Sequence, residues 1–220
     1  MEFKIENTQV FGLERSAIAS GNPMRTEIES LDEEGQCSKQ DFKRLMKLAK
    51  TGVGEGHDQA LTGCIVQFDL YAPLYMWKQI QRYHFMDYIS SCSTMHRLTQ
   101  FQVKECCVED TDPVILERYQ YLLDEYNKFC AEINSGLVPQ SVEYQKEMER
   151  ERKKKWRTLV ASLPSGFVLG ATMTTNYRQL KTIYNQRKNH KLDEWKEFCK
   201  WIEKLPHSDL FIETVVLDKK

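Results

Sequence analysis

A strand, a proline and a helix in direct succession constrain the fold of this 220-residue chain most strongly. From Leu61 to Tyr71, apolar and polar side chains alternate, a period of two that is typical of a strand with one solvent-exposed face. Ala72-Pro73 ends the strand, because proline cannot donate a hydrogen bond to a sheet but fits the first turn of a helix. The sequence therefore predicts a helix from Pro73 that presents Gln79 and Arg82 away from its buried side.

Apolar residues at intervals of three and four predict helices over most of the remaining chain. The longest opens at Asp112-Pro113 and closes at Gly136, and its apolar stripe, which includes Ile115, Tyr119 and Leu123, is predicted to be core. In residues 1–35 the sequence predicts only a short strand-like start and a turn, and in residues 211–217 it predicts a final strand. Further helices are predicted from Ser38 to about Gly52, from Ser141 to Leu163, from the caps Thr174-Thr175-Asn176 to about His190, and from Asp193 to Leu205.

Composition indicates one soluble globular domain spanning residues 1–220. Hydrophobic residues make up 41% and charged residues 29% of the chain, which leaves little sequence for long disordered segments. The net charge of -1 gives no general attraction to nucleic acid or to membranes, so any anion site must be local. No apolar run approaches the roughly 18 residues that a membrane-spanning helix needs.

The seven cysteines contain no C-x-x-C pair. Their odd number and the absence of a secretory leader favour reduced thiols in the cytoplasm. The same spacing argues against zinc, so the sequence predicts no metal site.

The segment from Gln79 to Thr94 places an amide, a guanidinium and an imidazole before a run of hydroxyl groups that is predicted to be a turn. Gln79 and Arg82 are three residues apart, so they share a face of a helix. An arginine beside hydroxyls and free backbone N–H groups suits a phosphate or a planar anion, which predicts a nucleotide site. The alternative interpretation is that Arg82 and His84 belong to a solvated or salt-bridged helix face.

Two further basic residues stand at informative positions. Arg187 lies four residues after Ile183 and so borders a buried helix stripe, where a guanidinium needs an anionic partner. His57 follows the glycine-rich link Thr51–Gly56 and is either a loop or capping histidine or a catalyst. The sequence contains no Walker loop, G-x-G-x-x-G or Ser/His/Asp signature.

Two blocks of the sequence match the motif spacing of one known family, with no gap inside either block. The family's first block reads G-H, a hydrophobic strand, a proline and Q-x-x-R-H-R; here it comprises Gly56-His57, Ile65-Val66-Gln67-Phe68, Ala72-Pro73 and Gln79-x-x-Arg82. The second block reads L-P, N-x-R-x-L, a later arginine and H-A-Q-W-E; here it comprises Leu163-Pro164, Asn176-Tyr177-Arg178-x-Leu180, Arg187, His190 and Glu194. Together the blocks resemble the flavin-dependent thymidylate synthases.

The resemblance implies a fold, an assembly and a reaction. The fold would be α+β, with a central mixed or antiparallel sheet and long flanking helices, assembled as a homotetramer with active sites at subunit interfaces. Members of the family use FAD as cofactor, with NADPH and methylenetetrahydrofolate as co-substrates. They methylate deoxyuridine monophosphate (dUMP) at C5 and so form thymidylate (dTMP).

The resemblance also assigns roles to individual residues by position. Arg82 and Arg187 would be catalytic and would bind the nucleotide together with Gln79, because a guanidinium stabilises negative charge that develops on a pyrimidine. The implied flavin contacts are His57, Arg82, His84, Asn176 and Arg178. The implied phosphate-binding run is Ser90-Ser91-Cys92-Ser93-Thr94, whose hydroxyl and backbone N–H groups are hydrogen-bond donors.

Several positions depart from the family's longer motif, R-H-R-x-x-S-x-N-x-x-S-x-R. After the first arginine, this chain has Tyr83 and His84, and at the later motif positions it has Asp87, Ile89, Cys92 and Thr94. Three alternatives to thymidylate synthesis therefore stay open: a pyrimidine hydroxymethylase, a nucleotide- or flavin-binding protein without synthase activity, and a helical interaction protein.

Overall fold

The computed structural model describes residues 1–52, 55–93, 98–135 and 141–212. Its strands are β1 (Lys4–Phe11), β2 (Ile65–Pro73), β3 (Asp87–Ser91) and β4 (Val168–Asn176). Its α-helices are α1 (Leu13–Ala19), α2 (Lys39–Ala49), α3 (Leu74–Ile80), α4 (Val103–Cys106), α5 (Pro113–Asn134), α6 (Val142–Ala161), α7 (Tyr177–Arg187) and α8 (Asp193–Glu203). Short 3-10 helices cover Asn22–Met24, His57–Gly63, Leu98–Gln100 and Ser208–Leu210.

The strands form one antiparallel sheet in the order β1-β2-β4-β3. Strand β2 alternates as its sequence predicts, because Val66, Phe68 and Leu70 are buried while the residues between them are only half-buried. It starts later than predicted, since a 3-10 helix occupies the residues before Cys64, and it includes Pro73. The prediction of an α+β fold with a central antiparallel sheet is confirmed.

Local capping explains where several helices begin. Ser38 Oγ accepts a hydrogen bond from the Asp41 backbone N–H at 3.1 Å, as the capping-box pattern predicts. The side chains of Asp112, Ser141 and Asn176 likewise accept from backbone N–H groups in the first turns of α5, α6 and α7. Each cap satisfies a donor that the helix itself cannot pair, so neighbouring residues determine these helix starts.

The described residues form two compact units. Unit 1 comprises Met1–Phe3, Tyr71–Lys78 and Ser91–Gly170. Its core includes Tyr119 from α5 and Leu159 from α6, and the Tyr119 hydroxyl donates to the Leu159 carbonyl at 3.2 Å. This bond satisfies a buried phenol while the two long helices pack against each other.

Unit 2 comprises Lys4–Leu70, Gln79–Ser90 and Ala171–Lys220. Its core is rich in aromatic side chains, and the ring of Phe68 on β2 lies 6.2 Å from that of Phe198 and 4.5 Å from that of Trp201 on α8. Such contacts add to the burial of apolar area and hold α8 against the sheet.

The structure corrects three predictions. In residues 1–35, the strand-like start is part of a longer strand, β1, and a helix that was not predicted, α1, precedes the turn at Ser20-Gly21. The apolar stripe of α5 is core only in part, because Ile115 is 52% exposed; a helical period shows that an apolar face exists, not that another element covers it. The predicted final strand is a turn at 211–212, and its remaining positions, 213–217, lie outside the described residues. Gly136, the predicted end of the longest helix, also lies outside them.

Among the helices of the described ranges, none has both the length and the apolarity to cross a bilayer.

Candidate functional site

Helix α3 ends at Ile80 and places Gln79 against a buried tryptophan of α8. Gln79 is half-buried, and its Oε1 accepts a hydrogen bond from Trp195 Nε1 at 3.0 Å. Since Trp195 is fully buried, this bond satisfies the indole donor and fixes the carboxamide. The NH₂ group of Gln79 remains the end that can donate to a ligand.

The Arg187 guanidinium is held by aromatic side chains. Its Nε donates to the Tyr83 hydroxyl at 2.7 Å, and its Cζ lies 4.7 Å from the centre of the Trp195 ring and 5.6 Å from that of the Tyr83 ring. The Tyr83 hydroxyl in turn donates to Gln186 Oε1 at 3.0 Å. The predicted anionic partner is not found among the described residues, and the two terminal nitrogens of Arg187 make no hydrogen bond to them.

His190 completes this group of side chains, which we call the Arg187 cluster: Gln79, Tyr83, Gln186, Arg187, His190 and Trp195. Its Nδ1 accepts from the Leu192 backbone N–H at 3.1 Å, which requires a ring without a proton on that nitrogen. Burial lowers the pKa of His190, and the charge of Arg187 lowers it further, against the opposing effect of Glu194. The structure thus favours a neutral histidine beside the arginine.

The turn after α3 holds Arg82 and His84 at the surface. The chain is anchored on both sides by the buried Ile80 and Met86, and Thr175 Oγ1 donates to the carbonyl of Phe85 at 2.7 Å. Phe85 has a left-handed backbone (φ 57°) and is 65% exposed. Within the described residues, the Arg82 guanidinium and the His84 ring have no hydrogen-bond or ion-pair partner, so both remain available to a ligand.

The predicted phosphate turn is instead the end of a strand. Ser90 and Ser91 are the last residues of β3, and both are exposed. The backbone N–H of Cys92 donates to the Gly170 carbonyl at 2.9 Å and so is not free for a phosphate. Ser93 is half-buried, and Thr94 lies outside the described residues. Strand pairing competes here with the turn that the hydroxyl-rich sequence predicts.

Arg178 belongs to a second network, which contains a buried carboxylate. Its Nε donates to Asp58 Oδ1 at 3.0 Å and its Nη1 to Gln59 Oε1 at 2.8 Å. Asp58 is 2% exposed and also pairs with Lys181 Nζ at 3.0 Å; Lys181 is itself 4% exposed and donates further to the carbonyls of Ala49 and Thr51. One carboxylate thus faces two cations, so Asp58 orients Arg178 while the group of three side chains keeps a net positive charge.

The remaining predicted flavin residues flank this network. Asn176 is buried, and its Oδ1 accepts from the Gln179 backbone N–H at 2.9 Å, so the carbonyl end serves the helix cap. His57 is exposed at the start of a 3-10 helix and follows Gly56, whose φ of 82° favours glycine. The roles assigned to these residues stay predictions.

The sequence interpretation did not single out Tyr83, Trp195, Asp58 or Lys181 as site residues. Tyr83 was identifiable because it replaces a motif histidine directly after Arg82. Asp58 directly follows His57, but nothing local shows that its partner is a lysine 123 residues away.

Solved structures with a similar fold give this architecture a context. The chain aligns with a flavin-dependent thymidylate synthase from Helicobacter pylori, complexed with FAD and dUMP, at a TM-score of 0.64 and 14% sequence identity. The alignment covers 94% of this chain and 97% of that protein. The fold is that of flavin-dependent thymidylate synthase. A second structure of the H. pylori enzyme, also with FAD and dUMP, gives a TM-score of 0.63, 15% identity, and 96% and 97% coverage.

No protein-family model and no curated protein matches the sequence. The likeness to flavin-dependent thymidylate synthase therefore concerns the fold, and it extends over nearly the whole chain. Both sequence blocks lie inside that fold, and the Arg187 cluster joins the end of the first block to the end of the second.

Proposed function

We propose that the protein is a flavin-dependent enzyme that transfers a one-carbon unit from methylenetetrahydrofolate to C5 of dUMP and so forms thymidylate. The fold likeness and the joining of the two sequence blocks in the Arg187 cluster support this function. The proposal includes FAD as cofactor, NADPH as co-substrate, a single catalytic domain, assembly as a homotetramer and a cytoplasmic location.

The observation that carries the proposal is the fork formed by the terminal nitrogens of Arg187. The Tyr83 hydroxyl accepts a hydrogen bond from Nε, and the Trp195 ring covers one face of the guanidinium. Both contacts restrain the orientation of the guanidinium plane, in which the terminal N–H groups lie. Such a fork matches a group that offers acceptor oxygens, as a phosphate and the carbonyl edge of a pyrimidine both do. Facing the pyrimidine, Arg187 would stabilise negative charge as it develops on the ring.

The chemistry of the implied flavin contacts fits FAD. The Nη2 group of Arg178 has no hydrogen-bond partner among the described residues, and His57 and His84 are exposed. These donors would hold the carbonyl and phosphate oxygens of FAD, which when bound supplies the redox chemistry that methyl formation needs. Because Asp58 holds its Nε, Arg178 would act as an oriented donor.

A nucleotide- or flavin-binding protein without synthase activity is the second candidate. In its favour, His84 stands where the family's motif has a permanently charged arginine with a fork of donors. A pyrimidine hydroxymethylase would use the same ligands and differ in its product, so product analysis separates it from a thymidylate synthase.

Binding and turnover measured on one preparation test the proposal. We expect FAD to bind with its flavin absorbance bands, and tritium to be released from C5-labelled dUMP when NADPH and methylenetetrahydrofolate are present. Arg82→Ala and Arg187→Ala should each weaken dUMP binding by about 1.5 to 3 kcal/mol, the usual range for hydrogen bonds to a charged group. Arg150→Ala, at an exposed position on α6, is the matched control and should bind dUMP normally.

The outcomes separate the candidates. Binding of dUMP without tritium release favours the binding protein, and a hydroxymethyl product favours the hydroxymethylase. A protein that binds neither FAD nor dUMP contradicts the proposal, and wild-type affinity in both arginine variants shows that the assigned positions are wrong.

A further inference from the structure

One face of α6, within unit 1, carries a row of basic side chains. Between Arg150 and Arg157, six of eight residues are arginine or lysine and one, Glu151, is acidic. Four of the basic residues stand at positions i, i+3, i+4 and i+7, which share one side of a helix. We call these four the α6 basic row: Arg150, Lys153, Lys154 and Arg157. All four are exposed, and with Thr158 and Ala161 they line an open depression of about 480 Å³, whose described lining contains no aspartate or glutamate.

The charge of the row is little reduced by neighbouring carboxylates. Arg150 and Arg157 have no hydrogen-bond or ion-pair partner within the described ranges. Lys153 and Lys154 each face a glutamate of the same helix, at 3.6 and 3.7 Å, and their side chains are 72% and 76% exposed. Water and salt screen ion pairs that are this long and this exposed. The row therefore keeps most of its positive charge for a partner outside the chain.

Packing on the opposite side of α6 holds the row straight. Leu159 is fully buried, and its carbonyl accepts a hydrogen bond from the Tyr119 hydroxyl of α5 at 3.2 Å. At about 1.5 Å per residue, the row from Arg150 to Arg157 is about 10 Å long. Phosphates of one strand of duplex DNA follow one another at about 3.4 Å along the duplex axis, so the row can face about three of them.

We propose that the α6 basic row binds the phosphate backbone of duplex DNA. Its arginines present paired donors that match phosphate oxygens, and its lysines add point charges. The whole chain has a net charge of -1, so the attraction is local to the row. Because such contacts reach phosphates and not base edges, binding would be independent of base sequence. The assignment goes beyond the proposed reaction and requires neither FAD nor turnover.

The lining of the depression favours a duplex over two other polyanions. Proteins that bind unpaired strands stack bases on aromatic side chains, and the described lining contains none. A helix that lies on an anionic membrane also inserts apolar side chains, and here the described lining offers only Ala161 as an apolar residue.

Fluorescence anisotropy with a short labelled DNA duplex tests the proposal. Three phosphate contacts give a slope of about -2.7 for log affinity against log salt, so raising the salt from about 50 to 200 mM should weaken binding about 40-fold. Arg150→Glu/Arg157→Glu reverses the two unpaired charges and should weaken binding at low salt by more than about tenfold. The slope of this variant should fall to about -0.9, because two of three contacts are lost.

Two further double variants serve as controls, each shown to be folded by circular dichroism. Lys43→Glu/Lys47→Glu reverses two exposed lysines one turn apart on α2 and changes the net charge by the same amount, and it should keep wild-type affinity and slope. Arg150→Lys/Arg157→Lys keeps both charges of the row, so it should keep the slope.

Four results would overturn the proposal. The first is a wild-type protein that does not bind the duplex at about 50 mM salt, where electrostatic binding is strong. The second is equal weakening by the α2 control, which would assign the attraction to net charge. The third is tighter binding to a single strand of the same length, or binding to phosphatidylserine vesicles alone. The fourth is displacement of the duplex by dUMP at a concentration that saturates its own site, which would place the DNA contact in the nucleotide site.

Discussion

Replacing Asp58 by asparagine tests the buried network that holds Arg178. The substitution keeps the size of the side chain and one acceptor oxygen but removes the charge that faces Lys181, which is 4% exposed. Breaking a buried ion pair by removing one partner costs about 3 to 5 kcal/mol, because the other charge stays buried without compensation. Lys181 keeps the carbonyls of Ala49 and Thr51 as acceptors, so we expect the lower end, about 3 kcal/mol.

The loss is measurable by urea unfolding and by thermal melting, both followed by circular dichroism. About 3 kcal/mol is a large part of the 5 to 15 kcal/mol by which folded proteins are usually stable. For a chain of this size it corresponds to a fall in Tm of about 6 to 12 °C.

The matched control is Asp193→Asn, another aspartate paired with a lysine. Its carboxylate lies 2.6 Å from Lys196, but the side chain is 86% exposed, so the change should cost much less stability than Asp58→Asn does. If Asp58→Asn destabilises the protein no more than Asp193→Asn does, the buried-charge argument is refuted. In the double variant Asp58→Leu/Lys181→Met, which removes both charges, the loss should be smaller than the sum of the single losses.

Three further predictions concern stability. Burial alone would raise the pKa of Asp41, but hydrogen bonds from Ser38, Arg44 and Arg25 lower it from 3.8 to about 2. The ionised carboxylate therefore contributes about 2 kcal/mol of stability above pH 3.8, and this contribution is lost as the pH falls towards 2. Urea unfolding should show this fall in unfolding free energy for the wild type and not for Asp41→Asn. Because the pKa of His190 in the folded protein is lowered from 6.5, its contribution to stability is complete above pH 6.5 and is lost as the pH falls through the folded pKa. His190→Gln should remove this pH dependence of the unfolding free energy, and an unchanged pH dependence would contradict the assignment. Leu159→Ala should cost about 2 to 5 kcal/mol in unfolding free energy because Leu159 is fully buried, whereas Val160→Ala at the exposed neighbouring position should cost about 0.5 kcal/mol or less; equal losses would contradict the packing described for α6.

The helix starts were predictable because capping is local. Ser38 and Asn176 each accept from a backbone N–H three residues later, and a pattern over four residues carries that information. The alternation in β2 was predictable for the same reason, since a strand's period is visible within one run of residues.

The errors arose where a distant partner decides the outcome. The run Ser90–Ser91 has the composition of a turn, yet strand pairing takes these residues into β3. Ile115 has the spacing of a core residue and is exposed, because the covering of an apolar face depends on elements far away in sequence.

Local sequence patterns determined most helix boundaries, and the resemblance carried by the two motif blocks implied the α+β class, a nucleotide and a flavin. Only the tertiary structure decided which charges are matched and which remain available. Arg187 meets Tyr83 across 104 residues, and Arg178 meets Asp58 across 120. Capping and periodicity act between near neighbours, whereas these pairs form only after sheet and helix packing has brought distant segments together. The two arginines of the second block therefore differ in a way that no local pattern contains: Arg178 pairs with the carboxylate of Asp58, whereas Arg187 has no carboxylate partner among the described residues.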